Sequence, residues 1–186
     1  MIITGDDSAG IHSLQHFLSQ HFEMKDPGTL SCFLGLKVTS SSDGYYLFQA
    51  KYAFDLLSKA NITDNKTVSI PLEYTAKLTL LDGKPISDAT RYRQLVGSLI
   101  YFTVTRPYIS HAMGMASKFM DAPRSVHYVV VLRILQYVKG TLYHGLHYSS
   151  QSSLKFHAYS DANWAGDPTN QCSITGFYFL LGTSLI

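Results

Sequence analysis

The chain has 186 residues, 46% of them apolar, 13% aromatic and 15% charged, with a net charge of +2. That length suits one domain or one and a half with a real buried core, and the low charged fraction suggests apolar surface awaiting a partner. No apolar run reaches membrane-spanning length, and Met1 opens no signal peptide. Cys32 and Cys172 form neither a metal spacing nor a disulfide framework, so a reducing, intracellular compartment is the default.

Met1–Thr4 reads as a short strand, followed by Gly5-Asp6-Asp7. Paired carboxylates on a tight turn hold magnesium in some polymerases, but that chemistry needs strand, turn, strand. Here Ile11, Leu14, Phe17, Leu18 and Phe22 follow at helical spacing, so Asp6, Asp7 or Ser8 reads as an N-cap. His12 and His16 share a face of that helix, yet the Glu of a zinc-protease pattern is replaced by Ser13 and no third ligand is evident.

Glu23–Gly28 is turn-like. Phe33–Val38 and Tyr45–Gln49, with turn chemistry at Ser40–Gly44, predict a β-hairpin. Lys51–Ala60 predicts a short helix burying Ala53, Leu56, Leu57 and Ala60, and Ile62–Pro85 a long polar connection with at most one strand.

The strongest periodicity runs from Ser87 to Gly140. Tyr92, Leu95, Val96, Leu99 and Ile100 mark one helix, stopped at Arg106-Pro107. Ile109, Ala112, Met113, Ala116, Phe119 and Met120 mark a second, broken at Ala122-Pro123. Val126, Val129, Val130, Leu132, Ile134, Leu135 and Val138 mark a third, with Gly140 as its C′ residue. Between positions 91 and 139 there are seven basic residues, Arg91, Arg93, Arg106, Lys118, Arg124, Arg133 and Lys139, and one acid, Asp121. That segment carries +6 and the remainder −4. A basic helical module in a near-neutral chain points to an anionic partner such as a nucleic-acid backbone, or to a solvated helical face whose acids lie elsewhere.

Tyr143–Ser153 reads as a loop with a short strand. Leu154–Tyr159 and Ser173–Leu181 read as strands, and Ser184–Ile186 as the start of another. Asp161, in Ser160-Asp161-Ala162-Asn163-Trp164-Ala165-Gly166, stands at a strand end, where it could ligate a metal or simply cap a turn.

Several of these stretches, FEMKDPGTLSCFLGLKV, QAKYAFDLLSKANI, YRQLVGSLIYFTVTRPYIS, RILQYVKGTLYHGLHY and AYSDANWAGD…SITGFYFLLG, resemble the reverse transcriptase of copia-type retrotransposons in order and spacing. That family joins an RNA-directed DNA polymerase to a ribonuclease H in one polyprotein, and similar remnants occur in plant nuclear and mitochondrial DNA. The resemblance implies an α+β fold with four parts: 1–60, a palm remnant, primer-grip hairpin and start of the thumb; 61–86, a linker; 87–148, a helical thumb/connection; and 149–186, the first strands of a truncated ribonuclease H-like domain. It implies that Lys25 lies near the incoming nucleotide, that Phe33, Leu34 and Gly35 form the primer grip, that the seven basic residues meet duplex phosphates, and that Asp161 is the first magnesium ligand of the ribonuclease H.

It also places the catalytic Tyr-x-Asp-Asp turn just upstream of Met1 and the remaining ribonuclease H carboxylates beyond Ile186, so Asp6-Asp7 is not the metal pair. The implied partners are a primer–template or RNA/DNA hybrid and the rest of the polyprotein, with no membrane. Mg²⁺ serves the intact family, and no tight binding is expected here. Asn163, Tyr108, Pro27 and the Gln171-Cys172 region depart from the family pattern, like drift in an unselected copy. The expectation is therefore a fragment inactive by itself. The alternatives are a non-catalytic nucleic-acid-binding protein or a functionless relic.

Overall fold

The computed structural model describes residues 5–23, 31–62, 64–73, 78–164 and 173–186. It is a mixed helical and antiparallel-sheet fold, as the α+β expectation requires. The chain divides into two units, Met1–Leu30 and Ser31–Ile186.

The described part of the first unit is one helix, α1 (Ser8–His21). Asp7 is its N-cap: the carboxylate accepts from the Gly10 amide at 2.9 Å, which satisfies one orphan donor of the first turn. That bond gives Asp7 the capping role the sequence suggested. None of the helix's residues is buried. The Met1–Thr4 strand, the Glu23–Gly28 turn beyond Glu23, Lys25 and Pro27 lie outside the described residues.

The second unit opens with a sheet of order β1-β2-β3-β4, all antiparallel. Its strands are β1 (Cys32–Phe33), β2 (Leu36–Ser41), β3 (Gly44–Phe48) and, after all the helices, β4 (Gly145–Ser149). The expected single strand Phe33–Val38 is in fact two. Leu34 and Gly35 both take positive φ, 49° and 78°, and reverse the chain between β1 and β2. Two successive left-handed residues match the twist of a two-residue hairpin, at a cost for leucine that glycine does not bear. β4 pairs with β3 in a register that sets Gly145 opposite Phe48. A Cβ at Gly145 would lie 2.3 Å from the Leu47 carbonyl oxygen, so only glycine permits that approach.

Helix α2 (Ala50–Lys59) buries Ala53, Leu56 and Leu57, as its spacing predicts. α3 (Ala89–Phe102), a 3₁₀ turn (Pro107–Ile109), α4 (Ser110–Ser117) and α5 (Ser125–Gly140) complete the helical part. α3 stops at Phe102, four residues before the expected Arg106 boundary, and a turn held by Thr103 N–H to Ile100 C=O follows. Phe102, rather than the expected Ile100, fills the last buried position of its stripe. In α5, Val126 and Val129 face solvent, while His127 and Val131 take the inward positions. Gly140 is the last helical residue and Thr141 the cap, so glycine's conformational freedom is not used there.

One continuous core joins α2, α3, α4 and α5 around Tyr92, Leu95, Leu99, Phe102, Ile109, Ile134 and Leu135. The Tyr92 hydroxyl donates to the Ala116 carbonyl at 2.7 Å, and burial pushes its pKa up to about 12. It stays a neutral donor that ties α3 to the end of α4.

A second antiparallel sheet, order β5-β6-β7, ends the chain: β5 (Phe156–Asn163), β6 (Ile174–Leu181) and β7 (Ser184–Leu185). Ser152, in the connection from β4, braces it: its hydroxyl accepts from the Thr183 amide at 2.8 Å, while Gly182 N–H to the Lys155 carbonyl at 2.7 Å extends the β5–β6 pairing. Among the described residues no helix is long and apolar enough to cross a membrane.

Candidate nucleic-acid interface

Most of the seven basic residues of the helical module act as staples between elements. Arg91 Nη2 donates to the Ala60 carbonyl at 3.1 Å and so ties α3 to the end of α2. Arg93 donates from Nε to Met120 O at 2.8 Å and from Nη2 to Asp121 O at 3.2 Å. Arg124 Nη1 donates to the carbonyls of Leu81 and Gly83 at 3.2 and 2.9 Å. Arg133 Nη2 pairs with the Glu73 carboxylate at 2.9 Å, and Lys139 donates to the Asp64 carbonyl. Lys118 is exposed and caps α4. A guanidinium that donates to a carbonyl keeps its full charge. The module therefore holds its positive field, while fewer N–H groups remain for direct phosphate bonds.

Arg106 departs from the phosphate-facing role expected of it. Its side chain is fully buried. Nη1 donates to Thr141 Oγ1 at 2.7 Å and Nη2 to the Leu142 carbonyl at 2.8 Å, closing the carboxyl end of α5. The guanidinium lies 5.4 Å from the centroid of the Phe102 ring. Desolvation lowers its pKa, with Tyr108 opposing, but an arginine remains charged even so. Sequence reasoning counted it as surface charge because a buried arginine looks no different in composition. The Arg-Pro step beside a helix stop was the one local signal that it sits inside a turn.

The expected primer-grip residues form the β1–β2 turn. Phe33 is half-buried and Leu34 is 72% exposed at the tip. The Tyr101 hydroxyl of α3 donates to the Leu34 carbonyl, and the Tyr52 ring meets Tyr101 edge-on at 5.3 Å. Tyr101 thus fixes the tip against the last turn of α3. Nothing in the sequence marked it, since it stands outside the apolar stripe of its helix.

Asp161 is exposed on β5, opposite Gly176 of β6. Strand alternation puts it on the face that carries Tyr159 and Tyr178. Among the described residues no group of three or more His, Cys, Asp or Glu side chains converges. Lys25 lies outside the described residues, as does the Gln171-Cys172 region.

Residues 1–74 match the profile of the family described as reverse transcriptase (RNA-dependent DNA polymerase). The chain is also 40% identical, over 98% of its length, to the retrovirus-related Pol polyprotein from transposon RE1 of Arabidopsis thaliana. It belongs to the retrotransposon reverse-transcriptase family. An uncharacterized mitochondrial protein of Arabidopsis thaliana is a second such relative, 36% identical over the whole of this chain and 77% of its own length. The Pol polyprotein from transposon TNT 1-94 of Nicotiana tabacum is 36% identical over 96% of this chain. Against the polyproteins the proportion reverses: this reverse-transcriptase-family chain spans about 12% of the RE1 polyprotein and 14% of the tobacco one. No solved structure matches the chain.

Proposed function

We propose that the chain is the carboxyl-terminal part of a copia-type reverse transcriptase joined to the first strands of its ribonuclease H, and that by itself it binds duplex nucleic acid without extending or cutting it. The observation that carries this reading is the likeness to the RE1 Pol polyprotein along nearly the entire chain, joined to a helical module whose net charge is +6. In this reading residues 1–60 hold the palm remnant and primer-grip turn, 61–86 the linker, 87–148 the thumb/connection, and 149–186 the ribonuclease H edge. Arg91, Arg93, Lys118, Arg124, Arg133 and Lys139 supply the field that draws the phosphates in, and the Phe33–Gly35 turn meets the primer end. The rest of the polyprotein and a primer–template are the partners. These 186 residues contain no Tyr-x-Asp-Asp sequence, and two-metal chemistry needs a cluster of carboxylates.

Salt-dependent duplex binding tests the proposal. Affinity falls with salt on a log–log slope of about −0.9 per phosphate contact. Since most of the basic side chains already donate to the chain's own oxygens, a shallow slope of about two to three contacts is expected. Salt-independent affinity, or templated extension with Mg²⁺ above a control lacking the protein, overturns it.

A further inference from the structure

We infer that His127 is an acid-released latch that holds the 79–86 loop on the amino end of α5. The imidazole is fully buried and lies nearly parallel to the Phe119 ring, with centroids 3.7 Å apart. Backbone groups occupy both ring nitrogens. The Arg124 amide donates to Nδ1 at 3.1 Å, and Nε2 lies 2.9 Å from the Thr79 carbonyl oxygen. An amide N–H only donates and a carbonyl only accepts, so the ring is neutral with its proton on Nε2.

The loop is clipped to the helix around this pin. Ser125 N–H donates to the Lys84 carbonyl at 2.8 Å, and Lys84 N–H to Ser125 Oγ at 3.1 Å. The Arg124 guanidinium holds the Leu81 and Gly83 carbonyls. Gly83 has φ +77°, and a Cβ there would meet Ser125 Oγ at 2.5 Å. His127 alone among these partners can change its donor pattern between pH 5 and pH 8. A second proton would sit on Nδ1 and face the Arg124 N–H, donor to donor, at the positive end of α5. The charged groups around it divide. The Asp82 carboxylate is the nearby anion and the Arg124 guanidinium the nearby cation, both close enough to act on each other's charge. Lys84 is the loop's remaining charge, and Lys118 and Asp121 are those of the segment carrying Phe119.

With the loop open, Nδ1 is released from the Arg124 amide and can accept a second proton. With the loop closed, it must first give up the Arg124 bond. Acid therefore favours the open form, because only there does the doubly protonated ring avoid facing the Arg124 N–H donor to donor. Opening uncovers Leu78 and Phe119, both now buried, and frees the Arg124 guanidinium from the Leu81 and Gly83 carbonyls.

The test uses the whole chain, ¹⁵N-labelled. At pH 7.5 the His127 nitrogens should show the neutral Nε2–H pattern. Protection of the Ser125 amide, corrected for intrinsic exchange, should fall about tenfold between pH 7.5 and 5.0. His127→Asn supplies a carboxamide oxygen near the Nδ1 position that does not titrate, and it should abolish that fall. A proton on Nδ1 at pH 7.5, unchanged Ser125 protection, or the same fall in His127→Asn each overturns the proposal. Should His127→Asn not fold, Asp82→Asn separates the two titrating groups. The latch predicts that the fall persists, and its loss would assign the effect to the carboxylate instead.

Discussion

The helical module and the terminal sheet are built from equally apolar sequence and end in opposite states. In α3 to α5 the apolar stripes interlock, and Tyr92, Val96, Leu99, Phe102, Ile134 and Leu135 are withdrawn from water. In β5 and β6 no described residue is buried, and Phe156, Tyr159, Phe177 and Tyr178 stand open to solvent. Strand pairing satisfies the backbone there, but a sheet three strands wide needs another layer on one face to shelter its side chains. Apolar composition thus supplies only the potential for a core; the second layer realises it. Phe156, Phe177 and Phe179 stack along one face, with centroids 6.0 and 6.2 Å apart, and are still 40% to 67% exposed.

The sharpest way to break this contrast is to cut one side chain in each region. Leu99→Ala opens a cavity where α3 meets the rest of the core and should cost about 2 to 5 kcal/mol in urea unfolding. Phe177→Ser should cost at most about 0.5 kcal/mol and make the protein more soluble. Equal losses would mean that the sheet face is covered in solution and would erase the distinction.

The β1–β4 sheet lies between the two extremes and offers a smaller, pH-based probe. The Tyr46 hydroxyl donates to Asp43 Oδ2 at 2.7 Å, and Tyr46 stacks on His147 across the β3–β4 pair, with centroids 4.4 Å apart. The Tyr46 bond, with help from Ser41, holds the Asp43 carboxyl below its usual pKa. A carboxylate lowered in the folded state stabilises above its unfolded pKa and loses that contribution as pH falls through the folded value. Tyr46→Phe should therefore raise the Asp43 pKa in an NMR titration. An unchanged value would mean that the exposed triad does not form in solution.

How much of this was legible in the sequence varied by element. The α3 and α4 stripes were, because leucine, valine, alanine and methionine recur at helical spacing and packing followed that pattern. Ile100 was misplaced only because the helix stops two residues later and Phe102 takes the inner position. Val126, Val129 and His127 were not legible: a helix apolar on most sides carries no hydropathy mark of the side that turns inward, and a histidine bonded at both nitrogens reads as a polar surface residue. The β1–β2 turn hid inside an apolar run where Gly35 was the sole mark. Of the candidate site, residue types and their clustering were legible. The use of the arginines as staples was not, because that depends on carbonyls far away in sequence: Arg91 on Ala60, Arg93 on Met120, Arg106 on Leu142.

The pairing of β3 with β4 has a bearing on the order of folding. Phe48 and Gly145 are neighbours in the sheet, yet α2 to α5 all lie between them in the chain. Closing so long a loop by chance carries a heavy entropic penalty, whereas the helices form from local contacts. The bundle should therefore assemble first and carry β4 to β3 as a late, rate-limiting step. Until that step is complete, the outer edge of β3 stays open as a template for any other strand that reaches it first.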